Sequence, residues 1–313
     1  MVRKVVNFFE KTSLFERILC QILSLLSNKV PVKDKFAASL VLMIVFAGFL
    51  GCASPSDGIG APKSEKDTGS VTSKTVTDKF AWQPLQYDST KKYIYLSFDD
   101  GPQHGTTTCY DLIRKENIKA TFFMVGLHTD QKSDGKKIVS MIRESYPEVL
   151  LANHSYTHAN DKYLAFYHHP ETAEQDFLKA QNSLNVPFKI IRLPGNRSWV
   201  TAEGIKATSL VKPVATLLDS AGYNVIGWDV EWNFNHKNAR PVQSPEKLAA
   251  QVDSAFAKHD THTRNHLVIL SHDRMFQRPD DAELLAKFIY ILKQNPQYVF
   301  ETVDHYPGLK KLN

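Results

Sequence analysis

Tyr93-Ile94-Tyr95-Leu96-Ser97-Phe98-Asp99-Asp100-Gly101-Pro102 is the stretch on which the reading of this chain turns. A short run of aromatic and branched residues breaks at two adjacent carboxylates and a Gly-Pro pair. That pattern predicts a buried β-strand over residues 93–98 with a turn behind it. The same grammar recurs downstream, and short apolar runs at 120–125, 149–152, 189–192, 225–228, 267–270 and 299–302 predict six further strands. Helix-like stretches lie between them, at 107–116, 135–146, 171–184, 214–221, 245–258 and 280–295. Pro170, Pro213 and Pro245 stand at helix starts, where a missing N–H is harmless. Alternating strands and helices predict an α/β fold with a parallel sheet of about seven strands.

Polar motifs follow five of these strands. They are Ser97-Phe98-Asp99-Asp100-Gly101-Pro102, His154-Ser155-Tyr156-Thr157-His158, Arg192-Leu193-Pro194-Gly195, Trp228-Asp229-Val230-Glu231-Trp232 and Leu270-Ser271-His272-Asp273. In an open sheet, residues behind so many strands would spread along an edge. A curled barrel gathers them at one mouth, so the motifs favour a barrel.

The residue types are those of a hydrolytic metal site. Asp99 and Asp100 would point to opposite faces of a regular strand, and Gly101-Pro102 ends the strand so that both can turn into one site. Two carboxylates so close repel unless a cation or an arginine neutralises one. The plain alternative is an Asp-Gly β-turn. His154 and His158 are four apart, a spacing that puts two imidazoles on one face of a helical turn; a surface pair is the alternative. With Asp100 they make two nitrogens and one oxygen, and three protein ligands with an open position characterise a catalytic site. Arg192 can hold a carboxylate in one orientation. Gly195 admits close backbone approach, and its N–H can face an oxyanion. His272 is a candidate acid, with Asp229 or Glu231 as its partner. Trp199, Trp228 and Trp232 are candidates for walling a sugar groove, with core packing the alternative, favoured for Trp228. His168, His169, His259 and His262 read as solvated loop residues, and Cys109 as a small residue packed on a helix.

Taken together, the motifs resemble the polysaccharide deacetylases, the NodB-homology domain of carbohydrate esterase family four, over roughly residues 90–305. The first motif has Ser97 where the family usually has Thr, and the second fits fully. The resemblance implies a curled, incomplete (β/α) barrel and a divalent metal held by Asp100, His154 and His158. Zinc is the first choice, with cobalt, nickel or manganese as alternatives. It further implies Asp99 as general base oriented by Arg192, the Gly195 amide on the oxyanion, and His272 as general acid. Two departures are visible: Gly195 replaces an aromatic residue, and the fourth motif is compressed, so either Asp229 or Glu231 partners His272. The implied reaction is hydrolysis of N-acetyl groups on an amino-sugar polysaccharide such as peptidoglycan, poly-N-acetylglucosamine or a chitin-like polymer. An O-acetyl esterase on a xylan-like glycan and a non-catalytic glycan-binding lipoprotein are the rivals.

Ahead of this domain the chain changes character. The net charge of +5 is carried mostly by residues 1–35, which hold seven Lys/Arg and three Asp/Glu; residues 52–313 are close to neutral. The basic excess therefore belongs to a leader and gives no ground for a nucleic-acid partner. Residues 36–51 form an apolar run ending in Gly51-Cys52, which resembles a bacterial lipoprotein signal with Cys52 lipidated; an uncleaved signal anchor is the alternative. Residues 1–30 read either as an interfacial amphipathic helix or as sequence ahead of the true start. Residues 53–80, rich in Ser, Thr, Gly, Pro, Asp and Lys, read as a flexible tether. The expected organisation is a leader over 1–52, a tether over 53–80 and a monomeric catalytic domain over 81–313. It is membrane-bound through a lipid or anchor, outside the cytoplasm in a bacterial cell envelope.

Overall fold

The computed structural model describes residues 79–310 and Leu312. The leader, Cys52 and all but the last two residues of the expected tether lie outside the described residues. Among the described residues, no helix is long and apolar enough to cross a membrane.

The core is a ten-stranded, mostly parallel sheet curled into an incomplete barrel. Its strands are β1 (Lys92–Gly101), β2 (Ala120–Met124), β3 (Val149–Asn153), β4 (Ile190–Ile191), β5 (Trp199–Thr201), β6 (Gly204–Lys206), β7 (Asn224–Val225), β8 (Val230–Glu231), β9 (His266–His272) and β10 (Tyr298–Phe300). The order is β6-β5-β7-β4-β3-β2-β1-β9-β8, with β10 beside the start of β1. Only β5 runs against the direction of the other strands, as one arm of the β5–β6 hairpin. The helices are α1 (Thr106–Lys115), α2 (Gly126–Gln131), α3 (Gly135–Arg143), α4 (Tyr163–Tyr167), α5 (Pro170–Ser183), α6 (Lys212–Ser220), α7 (Pro245–Lys258) and α8 (Pro279–Lys293).

Strand periodicity sorts the side chains into two layers. From β1, Ile94, Leu96 and Phe98 join the layer under the helices, while Tyr93 and Tyr95 join a second cluster inside the barrel. That inner cluster also takes Phe123 from β2, Leu150 and Ala152 from β3, Ile190 from β4 and Val268 from β9. Side chains alternate with period two, so the residues that continue these inward rows are Ser97 and Asp99, His154, Arg192, and His272. The helices complete the outer layer. In α7, Ser244 caps the N-terminus through the Lys247 amide, Pro245 occupies the first turn, and Leu248, Val252, Ala255 and Phe256 form the buried stripe.

All seven predicted strands are present, with shifted ends. The prediction missed β8 and the β5–β6 hairpin, and it made the fifth strand too long. Residues 224–231 change partners midway: Asn224 and Val225 pair with β4, the Asp229 amide bonds the Val268 carbonyl, and Val230 and Glu231 pair with β9. This one segment crosses the seam between the two ends of the curled sheet.

Candidate metal centre and catalytic groups

The adjacent carboxylates are brought together by a bulge, not by the strand ending. β1 runs through Gly101, and its register with β2 shifts between Asp99 and Gly101. Asp100 sits at φ 74°, in the left-handed region. The bulge lets consecutive side chains face one site. Gly101 is required there, since a Cβ would stand 2.5 Å from Asp273 Oδ2 and Met124 Sδ.

The histidine pair is likewise not on a helical turn, which corrects the spacing argument. His154 follows β3 in an irregular loop. Ser155 and His158 both have positive φ, at 70° and 51°. Asn153 Oδ1 accepts the Ser155 amide at 2.8 Å, and Ser155 Oγ accepts the His158 amide at 2.9 Å. These side-chain bonds wind the chain so that the imidazole centroids stand 5.1 Å apart.

Asp100, His154 and His158 form the only cluster of potential metal ligands among the described residues, with ligand atoms within 4.8 Å of one another. His154 Nε2 lies 3.4 Å and His158 Nε2 3.1 Å from Asp100 Oδ1. Donors about 2.1 Å from a tetrahedral cation stand about 3.4 Å apart, so the spacing fits. The tautomers fit as well. His154 Nδ1 donates to the Arg192 carbonyl at 2.9 Å, and His158 Nδ1 faces Asp161 Oδ1 at 3.3 Å. Those partners can only accept, so in each neutral ring Nε2 carries the lone pair. Asp100 Oδ1 is buried without a hydrogen-bond partner. Three electron-rich atoms thus converge, an arrangement that demands positive charge. The same demand shows in the direction in which the surroundings push these groups' pKa values. Burial alone would raise the Asp100 carboxyl, but His154, His158 and His272 outweigh it and hold it well below the usual range. Burial alone would lower His158, and Asp100 outweighs it to raise the imidazole.

Asp99 is held from the other side. Buried Arg192 donates through Nη1 to Asp99 Oδ1 at 2.8 Å and to Ser97 Oγ at 2.6 Å. Its Nε and Nη2 donate to the carbonyls of Ile226 and Gly227 at 3.1 and 2.9 Å, and the guanidinium lies 4.1 Å from the Phe123 ring centre. Burial lowers the Arg192 pKa while Asp99 opposes that shift, and the group stays charged. Asp99 Oδ2 remains, 3.6 Å from His154 Nε2. The hydroxyl of Ser97, the residue that stands where the family usually has Thr, helps fix the guanidinium.

His272 closes the ring of groups, with Nε2 3.8 Å from Asp100 Oδ2. Its expected carboxylate partner is not there. Asp229 turns away: its oxygens accept the His262 and Val268 amides at 2.7 and 2.8 Å, with Arg197 3.9 Å off. The Glu231 carboxylate makes no hydrogen bond among the described residues, and His272 Nδ1 is buried without a partner. The His272 ring packs instead on Phe234, 4.9 Å between centroids. Burial raises Asp229 to about 6, against its two amide bonds. Asp273, the last residue of the fifth motif, is buried beneath the bulge against the Thr106 hydroxyl. Burial, opposed by that hydroxyl, and the nearby Asp100 charge push it up to about 8.

Gly195 lies on the rim at φ 62°, and its N–H has no hydrogen-bond acceptor among the described residues. A Cβ there would stand 3.1 Å from the Tyr163 ring, which in turn meets the His158 ring edge-on at 5.7 Å. Trp232 and Trp199 are no groove walls. Trp232 is fully buried between Phe276 and Phe288, with its Nε1 donating to the Gln243 carbonyl. Trp199 is buried and stacked on His262 at 4.0 Å, so His262 is not a solvated loop residue either. Trp228 packs partly buried against the inner cluster. His168, His169 and His259 are exposed, and Cys109 is buried on α1.

Residues 86–201 match the family described as polysaccharide deacetylase. Among curated proteins, the chain is 24% identical over 307 residues to a chitin disaccharide deacetylase of Vibrio alginolyticus, covering 69% of this chain and 72% of that one. It is 24% identical over 266 residues to a peptidoglycan-N-acetylglucosamine deacetylase of Bacillus cereus, covering 83% and 87%. Among solved structures, the catalytic domain of a peptidoglycan N-acetylglucosamine deacetylase from Eubacterium rectale superposes with a TM-score of 0.51 at 24% identity, covering 74% of this chain and 98% of that domain. With the motifs in order at one mouth of a curled sheet, the match over residues 86–201, the curated relatives and the shared fold all make the polysaccharide deacetylases, the NodB-homology group of carbohydrate esterase family four, the family that this chain resembles.

Proposed function

We propose that this protein removes N-acetyl groups from an amino-sugar polysaccharide, at a site where Asp100, His154 and His158 hold a divalent cation, zinc first. The observation that carries the reading is the convergence of Asp100 Oδ1 with two imidazole nitrogens whose other ring positions are already engaged. A cation there would polarise the acyl oxygen and bring the pKa of water toward neutrality. Asp99, fixed by Arg192 through Oδ1, takes the proton of the attacking water with its other oxygen. The Gly195 N–H donates to the developing oxyanion. An amine leaves poorly until protonated, and His272 hands it that proton. The relatives that act on chitin disaccharides and on peptidoglycan support an N-acetylglucosamine-containing polymer as substrate. The test is acetate release by the purified chain, stripped of metal and then given zinc or cobalt, on a panel of N-acetylated glycans. Metal-dependent release is expected, and release that ignores metal sinks the reading.

The unpartnered Nδ1 of His272 favours a second reading, O-deacetylation, in which an alkoxide leaves with less need of an acid. O-acetylated xylan on the same panel separates the two. For the N-terminal region we propose a lipid anchor at Cys52 that places a monomeric domain outside the cytoplasm at the end of the 53–80 tether. Cys52→Ser should abolish labelling with a fatty-acid probe and release the protein from membranes. Light scattering on the released protein checks the monomer.

A further inference from the structure

Beside the three candidate ligands, the rim carries an aromatic ring that no catalytic step uses. Tyr163 opens α4 and stands half-buried. Its ring meets the His158 imidazole edge-on, with 5.7 Å between centroids and 87° between planes. The same ring fills the space over Gly195, where a Cβ would stand 3.1 to 3.2 Å from three of its atoms. The ring, a candidate ligand and the Gly195 N–H are therefore neighbours. Tyr163 is not needed to fasten its own helix. Buried Tyr167 does that, donating its hydroxyl to the Pro194 carbonyl at 2.6 Å, together with Phe166, which meets Phe177 edge-on at 6.0 Å. Among the described residues the Tyr163 hydroxyl has one long contact, 3.3 Å to Asp161 Oδ1, and the Asp161 side chain is 85% exposed. Part of the ring packs on a buried cluster that includes Tyr167, Phe177 and Leu193, and the rest is left at the mouth. Leu164, the next residue, is 64% exposed, so this edge of the mouth is apolar.

We propose that Tyr163 is a substrate-contacting residue, an aromatic platform on which the sugar that is deacetylated lays the apolar face of its ring. The proposal rests on the deacetylase reading and adds a residue to its binding machinery. An acetyl group held by the Gly195 N–H is joined to its sugar by the amide linkage alone. The sugar therefore comes to rest against whatever lies beside Gly195 and His158, and Tyr163 lies beside both. A pyranose presents a face of C–H groups, and a flat aromatic ring covers it at small entropic cost, having few torsions to freeze. Gly195 completes the arrangement, since any side chain there would displace the ring. The platform takes no part in the proton transfers. It holds ground state and transition state alike, so its loss shows in KM and not in kcat.

The test uses the full chain loaded with zinc and an N-acetylglucosamine tetramer as probe. Acetate release gives kcat and KM, calorimetry gives the dissociation constant of the tetramer, and competition with a chelator gives zinc affinity. Tyr163→Ala should raise KM and the tetramer dissociation constant about tenfold, with kcat and zinc affinity within about twofold of the wild type. Tyr163→Phe keeps the ring, gives up the Asp161 contact, and should stay within about twofold of the wild type in every measurement. If Tyr163→Ala misfolds by circular dichroism, Tyr163→Leu retains apolar packing without a flat face and should show the same rise. A loss in kcat or zinc affinity in place of KM would show that the ring only supports His158, and overturns the proposal. So does an unchanged KM, a Tyr163→Phe variant as poor as Tyr163→Ala, or a wild type that does not bind the tetramer. Acetate release that is indifferent to Tyr163 sinks the platform and leaves the deacetylase reading standing. Ring-dependent binding without acetate release supports the platform and sinks the hydrolytic reading.

Discussion

At the scale of single residues, the division of labour between Asp99 and Asp100 follows from what each touches. Asp100 faces only imidazoles, whereas Asp99 is paired with Arg192 and keeps one oxygen toward the site. Asp99→Asn should therefore retain metal, measured by elemental analysis, while kcat falls by about a hundredfold or more. Full turnover in that variant would remove Asp99 as the base. Arg192→Lys should behave as a severe change despite keeping the charge. The guanidinium donates to Ser97, Asp99 and two carbonyls in one plane, and an ammonium cannot span them. A loss of kcat by more than about tenfold with metal content unchanged is expected, and wild-type kcat would show that Asp99 needs no such clamp. The residues that end strands were legible because chemistry at a strand end contrasts sharply with the apolar run before it. Asp273 and Ser97 were not, since a buried serine or aspartate next to a motif looks like ordinary polar punctuation. The expected partner of His272 fails for a related reason: Asp229 and Glu231 end the strand before β9, but that order does not say which way either carboxylate turns.

At the scale of elements, two-residue periodicity explains how much was readable. The inward rows Tyr93, Tyr95, Ser97, Asp99 on β1 and Leu150, Ala152, His154 after β3 follow from counting alone once one inward residue is known. Counting fails at Asp100 and at His158, and both failures have the same source. Each depends on non-glycine residues at positive φ, which no local propensity announces. Asn153 and Ser155 hold the loop in place with side-chain acceptors. Ser155→Ala should thus loosen His158 without touching any candidate ligand. Zinc affinity is expected to drop about tenfold, the size of effect seen when groups supporting a ligand are lost, with the fold intact by circular dichroism. Unchanged zinc affinity would mean that the loop is held by its other contacts. Short strands were the other blind spot. The two residues each of β4, β7 and β8 carry too little pattern to be bounded from sequence.

At the scale of the whole molecule, the question is what keeps an incomplete barrel from splaying where its sheet does not close. The segment 224–231 crosses the seam, and the Asp229 carboxylate clasps it by accepting the His262 and Val268 amides. This gives Asp229 a structural task in place of the expected partnership with His272. Its side chain is fully buried, and burial lifts its pKa from 3.8 to about 6. The folded state therefore holds the proton more tightly than the unfolded chain does. The stabilisation linked to that proton is complete below about pH 4 and is lost as the pH rises through about 6. A shift of this size amounts to about 3 kcal/mol. Asp229→Asn keeps one acceptor, loses the other and removes the titration. The variant should be less stable than the wild type at pH 4, by about 1–3 kcal/mol for the lost bond, because the wild-type carboxyl is still protonated in the fold. The gap should then narrow as the pH rises toward 7. Urea midpoints for both proteins at a series of pH values measure the difference directly. A difference that stays flat from pH 4 to 7 would show that the clasp is not proton-linked, and one that widens would mean that ionised Asp229 is the more stable form of the seam.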